Sequence, residues 1–409
     1  MMDKKDRHLC ALDIGTSKTV ALIGEYDNGE LRIIGMGEAP TMGIKNGMIT
    51  NIDATANAIR SAVEEAEKMA DCQVHSVVIG IAGNHISSLN SDGMTAIKDG
   101  EVTRDDISRA IEHAKAVQIP AGHQILHTVV QEFIVDNQPS IREPLGMAGA
   151  RLTVKVHIIT GENNAVQNLE KCIQRAGYIP ETVVLQPLAS AIAVLTDDDQ
   201  EMGVCCIDIG AGTIDICVFA NGAIRHTAVL PVAGEMLTQD LARGLRTPYE
   251  AAEHIKIYHG AAIGDFDDTD EMIEVPCIGN DRKSRQVERS VLVTEVLQPR
   301  MTEFFHIIIN ELQRAGFPAN QLTAGIILTG GTSLMAGLVD LAEDVFDLPV
   351  RVGVPSRRMG GLSERVRNPK YATAIGLLCQ AFDEMEVQTD EPRRGGLLGK
   401  LFGKLKERL

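Results

Sequence analysis

Residues 9–23 read LCALDIGTSKTVALI, and residues 204–219 repeat the same arrangement as VCCIDIGAGTIDICVF. Each copy has an apolar run, then Asp-Ile-Gly, then small residues, then a second apolar run, which predicts two strands joined by a tight turn. Each second run leads into an Asn-Gly pair, at 28–29 and 221–222, and Asn-Gly between strand-like runs is a strong hairpin signal. The chain therefore predicts an α/β fold that contains the same meandering strands twice.

The two turns have the composition of loops that bind phosphate. Gly15, Gly210 and Gly212 lack a Cβ, so the backbone can approach a ligand closely and successive N–H groups can point at phosphate oxygens. Asp13 and Asp208 end the first strand of each copy and would face one cleft, where Mg²⁺ would offset their repulsion of a triphosphate. We expect phosphate contacts from Gly15, Thr16, Ser17, Lys18, Gly210, Ala211, Gly212 and Thr213. The alternatives are two ordinary β-hairpins and, for the lysine, a solvated position.

A third glycine turn follows a buried strand in residues 324–338, AGIILTGGTSLMAGL. Gly330, Gly331 and Thr332 could lie flat against a base or ribose; the alternative is a simple turn between a strand and a helix. Other nucleotide motifs do not fit. The sequence has no Gly-x4-Gly-Lys-Ser/Thr, and within 210–215 an aspartate stands where a Rossmann fingerprint requires glycine.

In this order and spacing, the three motifs resemble those of the actin/Hsp70/sugar-kinase superfamily, and the resemblance extends over residues 8–380. It implies a two-lobed, ribonuclease-H-like duplicated fold that holds ATP and Mg²⁺ in the cleft. It also implies that a helix at 250–260 faces the adenosine. The residues implied beside the adenosine, ribose and phosphates are Gly234, Glu235, Glu253, Lys256, Gly330, Gly331 and Thr332.

Hydrolysis is less clearly indicated. The resemblance places Gln186 where actins carry a glutamine that orients the attacking water, and Asp215 could also hold a water. Neither residue guarantees turnover. ATP could act mainly as a clamp that stabilises one conformation.

The position of an insertion narrows the resemblance. Actin has a subdomain between its first hairpin and first long helix, but here that gap, 37–52, is too short for one. An extra segment lies instead at 84–162 and predicts a helix at 103–117 and strands at 124–135 and 151–160. This displaced insertion resembles subdomain 1C of the bacterial cell-division FtsA family. The phrases GMITNIDATANAIRSAV, LQPLASAIAVL and LTGGTSLMAGL also resemble that family.

The FtsA-like organisation implies six segments. They are subdomain 1A at 1–83 and 163–197, subdomain 1C at 84–162, subdomain 2A at 198–240 and 303–380, subdomain 2B at 241–302, a flexible linker at 381–394 and an amphipathic helix at 395–409.

The last segment, GGLLGKLFGKLKERL, has apolar residues on one helical face and lysines and arginine elsewhere. Such a basic amphipathic helix lies flat on an anionic membrane and does not cross it. The alternative is a helix packed on the chain's own core or on a partner. The predicted membrane contacts are Leu397, Leu398, Lys400, Leu401, Phe402, Lys404, Leu405, Lys406 and Leu409.

Composition excludes several classes of partner and site. The formal net charge is −17, and an acidic surface repels nucleic acid. The eight cysteines form no Cys-x-x-Cys pair, so structural zinc and a disulfide framework are not expected. The N-terminus has no apolar core of a secretory signal, and no apolar run is long enough to span a bilayer. We expect a cytoplasmic protein on the inner face of the cell membrane, at the division septum.

The family resemblance also implies partners. It implies a tether that holds FtsZ filaments at the membrane, assembles with itself into actin-like filaments and helps to recruit later division proteins. The segment 281–300 is basic for this chain and would capture the acidic C-terminal peptide of FtsZ, unless it is only a solvated face. The implied contacts are Arg282, Lys283, Arg285, Arg289 and Arg300.

Three other members of the superfamily are alternatives. A small-molecule kinase such as a sugar kinase would need a general-base carboxylate in a substrate pocket, and no such motif is evident. A type IV pilus assembly protein of the actin-like type would share the insertion but would not need an amphipathic tail of its own. A chaperone would carry a large substrate domain after residue 380.

Overall fold

The computed structural model describes residues 8–27, 30–264, 271–278, 284–318, 321–356 and 359–388. The strands are β1 (His8–Ile14), β2 (Lys18–Asp27), β3 (Glu30–Pro40), β4 (Ile44–Lys45), β5 (Met48–Ile49), β6 (Ser76–Ile81), β7 (Ile86–Ala96), β8 (His123–Val135), β9 (Gln138–Ile141), β10 (Arg151–Glu162), β11 (Ile179–Leu185), β12 (Val204–Ile209), β13 (Ile214–Ala220), β14 (Ala223–Leu230), β15 (Met272–Pro276), β16 (Ser284–Glu288), β17 (Ile326–Thr329), β18 (Val350–Val352) and β19 (Gly360–Gly361).

The helices lie between groups of these strands. They are α1 (Ile52–Ala70), α2 (Arg104–Lys115), α3 (Asn163–Ala176), α4 (Gln186–Val194), α5 (Asp197–Met202), α6 (Gly234–Gly244), α7 (Tyr249–His259), α8 (Arg289–Leu292), α9 (Gln298–Arg314), α10 (Leu338–Phe346), α11 (Ser363–Val366) and α12 (Ala372–Gln388), with a π turn at Val293–Leu297 and 3₁₀ turns at Gly331–Leu334 and Pro369–Tyr371.

The two halves share a topology of five strands, to which the first sheet adds β19 beside β3. In the first lobe β1, β2 and β3 form an antiparallel meander, and β6 and β11 pair parallel on the other side of β1. In the second lobe β12, β13 and β14 form the meander, and β17 and β18 pair parallel beside β12. The predicted duplicated α/β fold is therefore confirmed.

The second of the two predicted hairpin turns is present between β13 and β14. Asn221 and Gly222 adopt φ of 53° and 68° and join β13 to β14. Positive φ at both central residues is the geometry of the type I′ turn, which matches the twist of antiparallel strands. The first pair, at 28–29, lies outside the described residues.

The insertion forms a layer of its own. A four-stranded antiparallel sheet, in the order β7-β10-β8-β9, packs against α2. The predicted helix is present and begins where Thr103 and Asp106 form a reciprocal capping box, and the two predicted strands are β8 and β10. A Cβ on Gly93 of β7 would lie 1.9 Å from the Ala110 carbonyl oxygen, so α2 rests directly on the backbone of that strand.

Side chains of the insertion also reach the second lobe. The Ser88 hydroxyl donates to the Thr227 carbonyl at 2.9 Å, and the Gln131 amide donates to the Ile224 carbonyl at 2.8 Å. The buried His157 lies with Nε2 2.9 Å from the Thr227 hydroxyl. Since β14 is an edge strand of its sheet, these contacts cover backbone groups that have no neighbouring strand.

Helices α4 and α12 join the lobes. They pack so closely that a Cβ on Gly376 would lie 1.7 Å from the Ala189 carbonyl oxygen. Helix α12 continues to Gln388, and Ala381 and Phe382 on it are buried. The prediction that a flexible linker begins at 381 is therefore wrong, because apolar packing on the core extends the helix.

Residues 395–409, and with them every predicted membrane contact, lie outside the described residues. None of the described helices combines the length and apolar character needed to cross a bilayer.

Candidate functional site

Three aspartates converge where the two meanders meet. Asp13 is the residue before the last of β1, while Asp208 and Asp215 face each other across β12 and β13. The Asp13 carboxylate accepts a hydrogen bond from the Gln186 amide at 3.1 Å. Of the two water-positioning candidates, Asp215 on β13 therefore belongs to this cluster, and Gln186 on α4 contacts it through Asp13.

Two hydroxyls outside the predicted site residues donate hydrogen bonds to Asp208. Ser190 donates to its Oδ2 at 2.5 Å, and Thr373 donates to the same oxygen at 3.1 Å. Ser190 lies one helical turn beyond Gln186 on α4, so helical spacing alone could have placed both side chains on one face. Thr373 comes from α12, and no local pattern indicates it.

The electrostatics of the cluster favour a bound cation. Burial, with the Asp208 charge as the second cause, raises the pKa of Asp13 to about 7. Burial also raises the pKa of Asp208 and Asp215, and for Asp215 the two neighbouring aspartates add to the shift. Asp215 Oδ1 is buried and has no hydrogen-bond partner among the described residues. Buried like charges become stable when an opposite charge joins them.

The two glycine turns are alike and touch each other. In the first, the Gly15 N–H donates to the Lys18 carbonyl at 3.0 Å, and in the second the Gly210 N–H donates to the Thr213 carbonyl at 3.0 Å. A Cβ on Gly212 would lie 2.3 Å from the Thr16 hydroxyl, so the loops meet across the cleft. The neighbouring Ser17 is exposed.

The third glycine turn leans on the second. Gly330 has φ of 85°, and a Cβ there would lie 2.2 Å from Asp208 Oδ1. The Thr332 hydroxyl donates to the Gly210 carbonyl at 3.0 Å. A Cβ on Gly331 would meet nothing within 4 Å, so this glycine faces open space. The sequence-predicted third loop thus lies at the same cleft.

The first residues of α6 also lie against the second glycine turn. The Gly234 N–H donates to the Gly210 carbonyl at 3.1 Å, and the Glu235 N–H donates to the Ala211 carbonyl at 2.8 Å. Lys256 of α7 donates to the Gly234 carbonyl at 3.1 Å and to Glu253 at 2.7 Å. These predicted residues are brought together beside the second glycine turn.

Lys18 begins β2 directly after the first glycine turn, and its ammonium nitrogen is buried although the side chain is partly exposed. Its Nζ has no hydrogen-bond partner among the described residues and lies 3.8 Å from the Glu38 carboxylate. Burial lowers the pKa of Lys18, and the charge of Lys18 lowers the pKa of both Asp13 and Asp208. The alternative of a solvated lysine is therefore wrong, because the ammonium group faces the acidic cluster from inside the protein.

Comparison with known families decides the identity. A model described as cell division protein FtsA matches residues 205–376, and one described as the SHS2 domain inserted in FtsA matches residues 83–160. A cell division protein FtsA of Neisseria meningitidis is 54 % identical over 397 residues, 97 % of this chain and 95 % of that protein. The chain belongs to the FtsA family.

FtsA proteins of other bacteria agree with this assignment. The one from Pseudomonas aeruginosa is 50 % identical over 371 residues, 90 % of this chain and 88 % of that protein. The one from Escherichia coli K12 is 40 % identical over 386 residues, 92 % of this chain and 91 % of that protein. The FtsA assignment replaces the pilus-assembly and kinase alternatives.

Solved structures show the actin-like fold. The PilM-PilN type IV pilus biogenesis complex has a chain with a TM-score of 0.63 at 17 % identity, covering 90 % of this chain and 97 % of that one. MreB5 of Spiroplasma citri bound to ADP has a TM-score of 0.56 at 14 % identity, covering 93 % and 98 %. Because these two structures are only 17 % and 14 % identical to this chain, their likeness to it shows the fold alone.

The basic segment of this FtsA-family chain is only partly described. Arg282 and Lys283 lie outside the described residues. Arg285 donates to the Leu245 carbonyl at 2.8 Å and is exposed, whereas Arg289 donates to the His259 carbonyl at 2.9 Å. Arg300 lies apart from them on α9, paired with Asp240 at 2.6 Å and with Glu303.

Proposed function

We propose that this FtsA-family protein binds ATP with Mg²⁺ in the cleft and uses the bound state to organise division filaments on the membrane. It would hold FtsZ filaments at the inner face of the cytoplasmic membrane, assemble with itself and help to recruit later division proteins at the septum. The proposal that the protein binds a nucleotide is supported by the contact between two glycine turns, one from each lobe, beside buried carboxylates. MreB5 of Spiroplasma citri, which shares the fold, has been solved with ADP and with AMPPNP.

The residues fit a phosphate–Mg²⁺ group. Asp215 has an unpartnered buried oxygen, and the raised pKa of Asp13 falls when a cation replaces the missing counter-charge. Among the described residues no three His, Cys, Asp or Glu side chains are grouped to bind an ion directly, so Asp13 and Asp208 would hold Mg²⁺ through water. The ion would neutralise phosphate charge, while Gly15, Gly210 and their neighbours donate N–H groups.

Gln186 and Asp215 remain the candidates for positioning a water. The Gln186 amide already donates to Asp13, so its carbonyl oxygen is the group that would accept from a water. A bound Mg²⁺ would favour the charged form of the Asp215 carboxylate, and this form is the better hydrogen-bond acceptor for a water. We expect hydrolysis to be slow relative to binding, with ATP acting as a clamp between the lobes.

The membrane part rests on the sequence of residues 395–409. One helical face carries Leu398, Leu401, Phe402 and Leu405, and the basic side chains lie elsewhere. Each basic residue near anionic lipid contributes about 1 kcal/mol. A helix this short, with four glycines, is marginal in water and would fold on lipid. Self-assembly would sum many such weak contacts into firm attachment.

Liposome co-sedimentation tests the tether. The full chain, a chain truncated after Asp390 and the variant Phe402→Glu are mixed with vesicles of phosphatidylglycerol and phosphatidylcholine, with and without Mg-ATP. Glu407→Gln is the matched control, since it alters the polar face of the same helix. We expect the full chain and the control to pellet, the other two to stay in solution, and Mg-ATP to increase pelleting. Equal pelleting of all four would refute the tether.

The FtsZ part is tested by charge reversal. Arg285→Glu removes an exposed cation from the proposed peptide site, whereas Arg300→Glu alters a cation already paired within the protein. We expect the first variant to lose binding of the C-terminal FtsZ peptide in fluorescence anisotropy while retaining ATP. Unchanged peptide binding would place the site elsewhere on the protein.

A further inference from the structure

The Lys18 ammonium is held from behind by a small polar cluster outside the glycine turns. Its Nζ lies 4.6 Å from the ring centroid of Tyr371 and 3.8 Å from the Glu38 carboxylate. The Tyr371 hydroxyl donates to the same Glu38 oxygen at 3.0 Å. Tyr371 is only 5 % exposed, so the ring has little freedom to leave. Together ring and carboxylate fix a side chain that otherwise has many rotamers.

In front of the ammonium there is no acceptor at hydrogen-bonding distance among the described residues, although Asp13 and Asp208 lie close enough to interact electrostatically. An ammonium has three donors, and all three of these are available. A phosphate oxygen is the ligand that such a buried, pre-aimed cation fits.

The turn that carries Tyr371 is attached to the third glycine loop. The Pro369 carbonyl accepts from the Gly330 N–H at 3.3 Å and from the Thr329 hydroxyl at 3.3 Å. One short turn therefore joins the loop proposed for adenosine to the lysine proposed for phosphate. Its backbone belongs with the second lobe and its aromatic ring with the first.

A second lysine offers an internal comparison. Lys370 Nζ also lies 4.6 Å from the Tyr371 centroid and 3.7 Å from the Glu38 carboxylate. Its side chain is 36 % exposed, and the Lys18 side chain is 24 % exposed. The two lysines share one ring and one carboxylate, but only the Lys18 charge acts on Asp13 and Asp208 as well.

We propose that Tyr371 and Glu38 are positioning residues that hold Lys18 ready for the phosphates and so make the affinity depend on the number of phosphates in the ligand. This inference rests on the proposed binding of ATP. The ring and the carboxylate order the Lys18 side chain before the ligand binds. Less side-chain entropy is then lost on binding, and more of the attraction between ammonium and phosphate contributes to the affinity. Neither residue belongs to the glycine turns proposed to contact the nucleotide, so the affinity for adenosine should not depend on them.

The test is isothermal titration of the full chain with Mg-ATP, Mg-ADP and adenosine. We expect Lys18→Met to weaken ATP binding about tenfold or more and to leave adenosine binding within about twofold, because a hydrogen bond between charged groups contributes about 1.4 kcal/mol or more, which is a factor of about ten. Tyr371→Leu and Glu38→Gln should weaken ATP in the same direction and spare adenosine. Tyr371→Phe, which retains the ring, should recover most of the ATP affinity. Lys370→Met should leave the ratio of ATP to adenosine affinity unchanged.

A double-mutant cycle separates positioning from general damage. In the Lys18→Met background, Tyr371→Leu and Glu38→Gln should cause no further loss of ATP affinity, because the cation that they hold is absent. Losses that add, or that affect adenosine equally, would overturn the inference. Glu38→Gln conserves the shape of a partly exposed side chain and is expected to fold. It therefore still tests the positioning role if Tyr371→Leu does not fold.

The outcomes also separate this inference from the proposed function. If the unaltered chain binds no ATP, both fail. If it binds ATP but the ratio of ATP to adenosine affinity is the same in the Tyr371→Leu, Glu38→Gln and unaltered chains, only the positioning role fails.

Discussion

Replacing Gly330 by alanine should destabilise the protein because the backbone there has a conformation that side chains rarely allow. Gly330 has φ of 85° and ψ of 171°, a region essentially restricted to glycine. An added Cβ would also lie 2.2 Å from Asp208 Oδ1 and 2.6 Å from the Ile209 carbonyl oxygen. The second contact is with backbone, so rotation of a side chain cannot relieve it.

The magnitude follows from these two effects. Backbone strain of this kind costs about 1–3 kcal/mol. Forcing extra volume into a packed site costs about 1–3 kcal/mol more. We therefore expect Gly330→Ala to lower the free energy of unfolding by about 3 kcal/mol. We also expect weaker ATP binding, because Asp208 or the loop must move.

The neighbouring glycine provides the control. A Cβ on Gly331 would meet nothing within 4 Å. Gly331→Ala should therefore change the free energy of unfolding of the nucleotide-free protein by no more than about 0.5 kcal/mol. Urea unfolding followed by circular dichroism measures both variants. Equal stability of the two would refute the argument from backbone geometry.

Three further predictions concern stability. Because the folded-state pKa of Asp13, about 7, exceeds its ordinary value of 3.8, the nucleotide-free protein should lose stability as pH rises from about 4 to 7. Asp13→Asn should make the urea midpoint depend less on pH between about 4 and 7. An unchanged pH dependence would contradict the raised pKa of Asp13. Thr227→Val should cost about 1–3 kcal/mol in urea unfolding, since it leaves the buried His157 without one partner; a neutral result would mean that water replaces the hydroxyl. Gly376→Ala should lower the thermal midpoint strongly, because its Cβ would lie 1.7 Å from the Ala189 carbonyl oxygen; an unchanged midpoint would show that the helices can separate.

The sequence predicted those parts of the fold that depend on local rules. Asp-Ile-Gly between apolar runs predicted both meanders, Asn221-Gly222 predicted its turn, and Thr103 marked the start of a helix. Strand β7 was missed because its sequence, ISSLNSDGMTA, has few apolar residues, and its pairing with β10 supplies what its own pattern lacks.

The site shows the same division. The glycines and aspartates of the turns were evident, since each lies in a short motif. The partners that hold them come from distant parts of the chain, as Thr373 does for Asp208 and Tyr371 does for Lys18. No spacing rule connects residues so far apart, and only the packed fold brings them together.

The cover that the insertion gives to β14 has a consequence for synthesis. Residues 86–162 leave the ribosome before residues 223–230, so the hydroxyl and amide groups that cap the edge are already made when the edge forms. An exposed strand edge on a nascent chain invites pairing with other chains. An insertion placed N-terminal to the strand that it covers shortens the time for which the strand edge is exposed during synthesis. The same domain attached after residue 230 would leave the edge exposed until that domain had been made.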